Sequence, residues 1–235
     1  MSMTADEQKQ AAARRALDFV ESGMKLGLGT GSTAEHFVRF LAERVTQGRL
    51  DVVGIPTSER TAALATRLGL KLTHLDATPH LDLTIDGADE LDFRLRLIKG
   101  GGGALLREKI VATASDRMIV IADASKLVKT LGAFPLPIEV IPFGCAVTAR
   151  KIIEIAKSFG CTGMIKRRAD DYDVPFLTDS NNFIYDCHFG ALPDPDGLAI
   201  ALNSIAGVVD NGLFIDIASL AIVGTDKGAD IVERN

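Results

Sequence analysis

Apolar residues recur along this chain with two different periods, and the pattern changes character near residue 132. In the first half, short unbroken apolar runs alternate with stretches where apolar residues return every three or four positions. Ala13, Ala16, Leu17, Val20 and Met24 form one such stripe and predict a helix over about 5–22. KLGLG at 25–29 reads as a short buried strand, with a helix over about 32–45 behind it. DVVGI at 51–55 is the next strand. Ser58 then stands as the N-cap of a helix carrying Ala62, Leu64, Ala65 and Leu68 and stopped at Gly69. LKLTHL, LDLTID and the run at 118–122 read as further strands, and a helix follows four consecutive glycines as far as about 114. Strongly apolar strands alternating with helices predict an α/β fold, a Rossmann-like, mostly parallel sheet covered by helices on both faces.

Beyond Gly132 the pattern is different. Three prolines, Pro135, Pro137 and Pro142, crowd into GAFPLPIEVIPFG and predict a rigid connection rather than a helix. Ile152, Ile155, Ala156 and Phe159 mark an amphipathic helix, and Leu198, Ala201, Leu202 and Ile205 mark another. Between them 182–189 alternates, with Phe183, Tyr185, Cys187 and Phe189 on one side, as in an antiparallel sheet with one solvated face. IDIASLAIV at 215–223 returns to a buried apolar strand. The expected organisation is an α/β domain of residues 1–131 plus 207–235, interrupted by a small α+β, ferredoxin-like insertion at 132–206.

Composition narrows the function classes. A chain of 235 residues, 47% hydrophobic and 24% charged, can bury a substantial core. Its net charge of −5 offers no basic footprint for nucleic acid. No apolar run reaches the ~18 residues of a membrane span, and the polar start MSMTADEQKQ is unlike a secretory signal. Cys145, Cys161 and Cys187 are too few and too irregularly spaced for a disulfide framework or a zinc site, so free thiols in a reducing cytoplasm are expected. The absence of Trp and an aromatic content of 6% speak against base-stacking platforms.

Candidate chemistry clusters where strands end. GLGTGST (27–33) lies between a strand and a helix, where amides and the helix dipole favour a phosphate. Its glycines, Gly27, Gly29 and Gly31, miss the dinucleotide spacing, and the nucleotide-loop lysine is absent. Thr30, Gly31, Ser32 and Thr33 therefore read either as a sugar-phosphate anchor or as a capped helix start. DGADE (86–90) puts three carboxylates at a strand end. Asp86 and Asp89 could accept from sugar hydroxyls, or the turn could be a solvated cap. A metal site there lacks a histidine or a further acid at helpful spacing. KGGGGALLREK sets Lys99 and the bare backbone of Gly100, Gly101 and Gly102 before a helix bearing Glu108. Amide donors, a cation and a carboxylate are the parts needed to move a proton beside a developing oxyanion, although a flexible loop reads the same way. Lys126 again follows a strand. TSERT (57–61) could hold a polar group of a ligand or simply cap its helix. His36, His74, His80 and His188 show no pairing that suggests chemistry.

Taken together, GLGTGSTAEHF, TIDGADELD, LIKGGGGALLREKI, IADASKLV, FPLPIEVIP and the GLF at Gly212 resemble the ribose-5-phosphate isomerase type A family, in the family's order and over nearly the whole chain. The resemblance implies reversible interconversion of ribose 5-phosphate and ribulose 5-phosphate through a cis-enediolate, with no cofactor and no metal. It implies that Glu108 is the general base and that Lys99 with Gly100, Gly101 and Gly102 binds substrate and stabilises the enediolate. Asp86, Gly87, Ala88 and Asp89 match the sugar-binding turn, with one acid assisting ring opening. Thr30–Thr33 matches the phosphate turn, Lys126 a substrate-binding lysine, and Lys9 a lysine of the first helix that reaches the phosphate. A homodimer or homotetramer is implied as well. Departures from the family pattern are IPTSERT, where many members carry a serine run, and IDIASLAIVG, where many bacterial members carry an arginine. Rivals are a sugar-phosphate deaminase or coenzyme A transferase of similar fold, and a sugar-phosphate sensor that binds without turnover.

Overall fold

A computed structural model describes residues 2–234. The α/β part opens with α1 (Ala5–Ala16), β1 (Lys25–Leu28), α2 (Ser32–Thr46), β2 (Val53–Pro56), α3 (Glu59–Arg67), β3 (Lys71–Leu72) and β4 (Leu83–Asp86). Short β5 (Glu90–Leu91) and β6 (Leu97–Ile98) precede α4 (Leu105–Thr113) and β7 (Met118–Asp123). The second region holds β8 (Leu136–Val140), α5 (Cys145–Ser158), β9 (Met164–Arg167), β10 (Phe183–His188), α6 (Pro195–Asn203) and β11 (Val208–Asn211). The chain closes with β12 (Leu213–Phe214), β13 (Leu220–Thr225) and β14 (Gly228–Glu233).

The main sheet has the order β14-β13-β7-β4-β1-β2-β3, parallel except for the β13–β14 hairpin at its edge. One face buries Leu26, Leu28, Ile85 and Ile121 against Ala12, Ala13 and Ala16 of α1 and Phe37, Val38 and Leu41 of α2. The other buries Val120 and Ala122 against Leu91, Leu97, Ala112 and Phe214, which belong to α4 and a three-stranded layer β12-β6-β5. Each fully buried leucine, isoleucine or phenylalanine contributes about 1.5–3 kcal/mol. Both faces are covered, as the unbroken apolar strands require.

The second region runs β-α-β-β-α-β with the antiparallel order β11-β8-β10-β9, which is the ferredoxin-like arrangement. Its sheet takes an edge strand from Val208–Asn211. We propose on that ground that the insertion runs from 132 to about 211 rather than to 206.

Several elements differ from the expectation. The first helix ends at Ala16 and gives way to a single 3-10 turn, because Val20 turns extended to aim the chain at β1. LKLTHL supplies only two strand residues. In 215–223 the strand begins at Leu220, since Asp216 adopts φ 57° and breaks the extended run. The proline-rich stretch contains β8, an interior strand. Pro137 fits because its carbonyl, and so its missing N–H, faces Gly212, where β11 has ended at the Asn211–Ile138 pair. The second face of β10 is solvated only in part, at His188. Ile184 and Glu139 are buried there, and Arg168 bridges from Asp186 on that face to Gly100 of the α/β domain.

Gly27 of β1 and Gly29 just beyond it are clearance positions. A Cβ on Gly27 would meet the Thr84 hydroxyl, and one on Gly29 would stand 2.5 Å from Asp86 Cα. Neighbouring β4 therefore approaches too closely for any side chain at either place.

Candidate active site

From β1 the connections proceed one way along the sheet to β2 and β3, and the other way to β4, β7 and β13. The crevice beyond the C-terminal ends of β1 and β4 is thus the switch point at which open α/β sheets take ligands. A cleft opens there, lined by Lys9, Thr30, Gly31, Ser32, Thr33, Gly87, Ala88, Asp89, Lys99, Gly100, Gly102, Glu108 and Lys126. All of these belong to the set read from the sequence, and that set contains only two residues outside the wall. Asp86 lies behind it with no exposed surface, and Gly101 is exposed with its amide donated to Asp89 Oδ2 (2.7 Å).

One end of the cleft is built for an anion. Gly31 adopts φ 110° and opens α2 with no side-chain cap, so an anion at the helix start would supply the acceptor its first amides lack. Lys9 Nζ donates to Ser32 Oγ (3.0 Å), which brings the first helix to the same turn. Lys126 sits on a 3-10 turn that Asp123 caps by accepting from Ser125 N. Gln8 Oε1 accepts from Ala124 N of that turn, so α1 ties both lysine-bearing segments together. Behind the anion turn, Thr30 Oγ1 lies 2.7 Å from Thr57 Oγ1 and 3.2 Å from Thr61 Oγ1, and donates to Ser58 Oγ (2.8 Å). Thr57 and Thr61 donate in turn to the carbonyls of Leu28 and Gly29. The TSERT hydroxyls therefore brace the turn and do not line the cleft.

At the other end Lys99, 2% exposed, stands between two acids. Its Nζ lies 3.1 Å from Asp86 Oδ2 and 3.1 Å from Glu108 Oε1, and donates to Gly87 O (2.6 Å). Asp86 Oδ1 accepts from Thr30 N (3.1 Å) and Gly87 N (2.7 Å), which joins the anion turn to the acidic turn. Glu108 is 4% exposed, and its Oε2 has no hydrogen-bond partner. The ring of Phe214 lies beneath Lys99 and Lys109, their Nζ atoms 5.6 and 4.9 Å from its centre.

Two buried carboxylates share one cation, so the second negative charge is costly. Burial, then the neighbouring Asp86, push Glu108 up to about 8 against the pull of Lys99. Burial also raises Asp86, despite Lys99 and the two amides. Burial works to lower Lys99, but Asp86 and Glu108 outweigh it and raise its pKa, so Lys99 stays charged. Asp86 Oδ1 is held by two amides while its Oδ2, like Glu108 Oε2, has no hydrogen-bond partner, and both carboxyls are raised. Between about pH 4.5 and 8 the folded chain then binds a proton that the unfolded chain does not, and stability falls as pH rises through that window. Glu108→Gln removes this titration. Thermal melts should show the variant gaining on the wild type from pH 5 to pH 9 by a few kcal/mol, whereas a gap that stays constant with pH would contradict a raised Glu108.

Among the described residues, no group of three or more His, Cys, Asp or Glu side chains is placed to hold a metal ion, and no helix is long and apolar enough to cross a membrane. Sequence reasoning missed Gln8, Asp123 and Arg168. Gln8 and Arg168 lie in no motif and act on backbone groups remote in sequence, whereas Asp123 stands within IADASKLV and caps its own turn.

The family model for ribose 5-phosphate isomerase A (phosphoriboisomerase A) matches residues 53–228. The chain belongs to the ribose-5-phosphate isomerase A family. It is an isomerase. Ribose-5-phosphate isomerase A of Parvibaculum lavamentivorans is 76% identical over 231 residues, covering 98% of this chain and 100% of that one. A solved D-ribose-5-phosphate isomerase in complex with phospho-erythronic acid superposes with a TM-score of 0.92 at 42% identity, covering 99% of this chain and 100% of that one. The ribose 5-phosphate isomerase A of Methanocaldococcus jannaschii gives 0.91 at 39% identity, covering 98% and 100%. With relatives of this family aligned end to end, the α/β sheet and its insertion are shared along the whole chain.

Proposed function

We propose that the chain interconverts D-ribose 5-phosphate and D-ribulose 5-phosphate through a cis-enediolate, with Glu108 as the general base. The observation that carries this reading is the buried Glu108 at the cleft, one oxygen on Lys99 and the other without a partner. The phosphate is assigned to the start of α2, flanked by Lys9 and Lys126, and the open-chain sugar extends from there to Glu108. The Glu108 carboxylate removes the proton from C2 and returns it to C1. The hydroxyl proton on O2 is transferred to O1, so the aldehyde becomes an alcohol and C2 becomes the ketone. Negative charge builds on oxygen in between, and Lys99 with the glycine-loop amides is placed to balance it. A pKa near 8 keeps Glu108 close to the operating pH, where a base can both take and return a proton.

Asp89, on the cleft wall, is assigned to sugar hydroxyls and ring opening. Asp86, behind the wall, is assigned to holding Lys99. Ribose 5-phosphate incubated with the protein in D₂O, with and without EDTA, should give ketose carrying deuterium at C1 at equal rates. Binding of the sugar phosphate with no ketose would overturn the assignment in favour of a sensor, and loss of turnover in EDTA would overturn the metal-free mechanism.

A further inference from the structure

The ferredoxin-like insertion touches the catalytic domain at several places, among them Asp179 on Glu59 and Arg107, Asp196 on Arg96, and Arg168 on the glycine loop. Arg168, next to the end of β9, pairs bidentately with Asp186 of β10: Nε to Oδ2 at 2.9 Å and Nη2 to Oδ1 at 2.5 Å. Its remaining nitrogen, Nη1, donates to Gly100 O (2.9 Å) and Gly101 O (3.2 Å) of the loop between Lys99 and α4. Phe176, with the Arg168 guanidinium 5.7 Å from its ring centre, packs on the same loop. A Cβ on Gly103 would stand 2.4 Å from that ring. Arg168 and Asp186 are only 16% and 22% exposed, so the pair is largely shielded from screening by water.

A peptide is planar and trans, so fixing a carbonyl fixes the N–H on the opposite side of the same plane. The carbonyl of Gly100 shares its plane with Gly101 N–H, and that of Gly101 with Gly102 N–H. With the first carbonyl on Arg168, Gly101 N–H meets Asp89 Oδ2. With the second on Arg168, Gly102 N–H points away from the guanidinium. Gly102 lines the cleft, and among the described residues nothing accepts from its amide. Glycine has the broadest choice of backbone angles, and apart from Arg168 this run is held by the Gly103 N–H on Gly100 O (3.0 Å) and the Gly101 N–H on Asp89.

We infer that Arg168, braced by Asp186, is a positioning residue for the isomerisation: it orients the Gly100–Gly101 and Gly101–Gly102 peptides so that the Gly102 amide is preset to receive the enediolate oxygen. The insertion thereby serves the chemistry of the other domain through two backbone carbonyls. This rests on the isomerase reading above, with charge developing on the substrate oxygen beside the loop.

Removing a preorganised oxyanion donor costs about 10²–10³ in kcat, so releasing one that is still present should cost about 10–100-fold. Arg168→Met is expected to lose that factor in kcat on ribose 5-phosphate. KM should stay within about threefold, because the phosphate turn is untouched. Inhibition by phospho-erythronic acid, a sugar-acid phosphate that carries a carboxylate, should weaken by a similar factor. Inhibition by inorganic phosphate should not change. Arg168→Lys keeps one donor within reach of the loop and should recover part of kcat.

The double variant Arg168→Met with Asp186→Leu removes the charge that the single variant orphans. A low kcat in a folded double variant places the loss in the loop, and a restored kcat overturns the inference. Wild-type kcat in Arg168→Met overturns it too, as does a loss shared equally by phosphate binding. The outcomes separate from failure of the isomerase reading itself, since in that case the wild type makes no ketose in the same assay.

Discussion

Glu108→Gln should turn over ribose 5-phosphate at least 10²–10⁴-fold more slowly than the wild type while binding inorganic phosphate equally well. The factor is the usual contribution of a positioned general base. The substitution keeps the shape of the side chain and can still accept from Lys99 Nζ, now 3.1 Å from Oε1. What it removes is the ability to carry a proton between two carbons. The phosphate turn lies at the other end of the cleft and is held by its own hydroxyls, so KM should move little. Steady-state kinetics with a coupled ketose assay checks both numbers, and deuterium exchange at C2 should fall in parallel. A variant with near-normal turnover would sink the assignment of the base.

Lys99→Met should be worse on two counts. Activity is expected to fall by 10³ or more, because the cation nearest the developing charge is lost and Glu108 is left beside an unbalanced Asp86. Stability should fall too. Breaking a buried ion pair by removing one partner costs about 3–5 kcal/mol, chiefly from the charge left behind. Here two carboxylates are left behind, at 0% and 4% exposure, and Gly87 O loses its donor. The destabilisation has a pH signature. At pH 5 Glu108, raised to about 8, is largely protonated and the loss is smaller, and at pH 9 it is larger. Denaturant melts at the two pH values measure the difference. Arginine is no substitute, since a planar fork cannot replace a compact ammonium seated over Phe214 between two acids. A Lys99→Met protein that keeps a tenth of wild-type kcat would contradict the part given to this lysine.

How much of this was legible in the chain depended on the range of the interactions. Helix α2, the Ser58 cap, the stop at Gly69 and the apolar strands β1, β4 and β7 are written in local pattern, and they appear within a few residues of where that pattern puts them. Pro137 misled because proline was weighed as a local breaker, and only the end of β11 beside it makes an interior place tolerable. The alternation at 182–189 gave the strand correctly but not the burial of its second face, which depends on a docking partner about 80 residues earlier. In the site, the motif residues were readable because sharp turns at strand ends need glycine, hydroxyl and acid at set spacing. Arg168 was not readable: its partners, Asp186, Gly100 and Gly101, are brought to it by topology alone. The TSERT hydroxyls were readable as polar but not as buried.

The clearance positions at Gly27 and Gly29 change what GLGTGST means as a signature. It looks like one instruction addressed to a phosphate, yet only Gly31 bends the chain at the helix start. Gly27 and Gly29 answer instead to the neighbouring strand, to Thr84 and Asp86. The motif is thus two records superimposed, one of a ligand and one of a neighbour. Drift at position 27 is bound to position 84 and not to the substrate. A chain that changed its substrate altogether could still carry those glycines unchanged, so long as its two central strands kept the same separation.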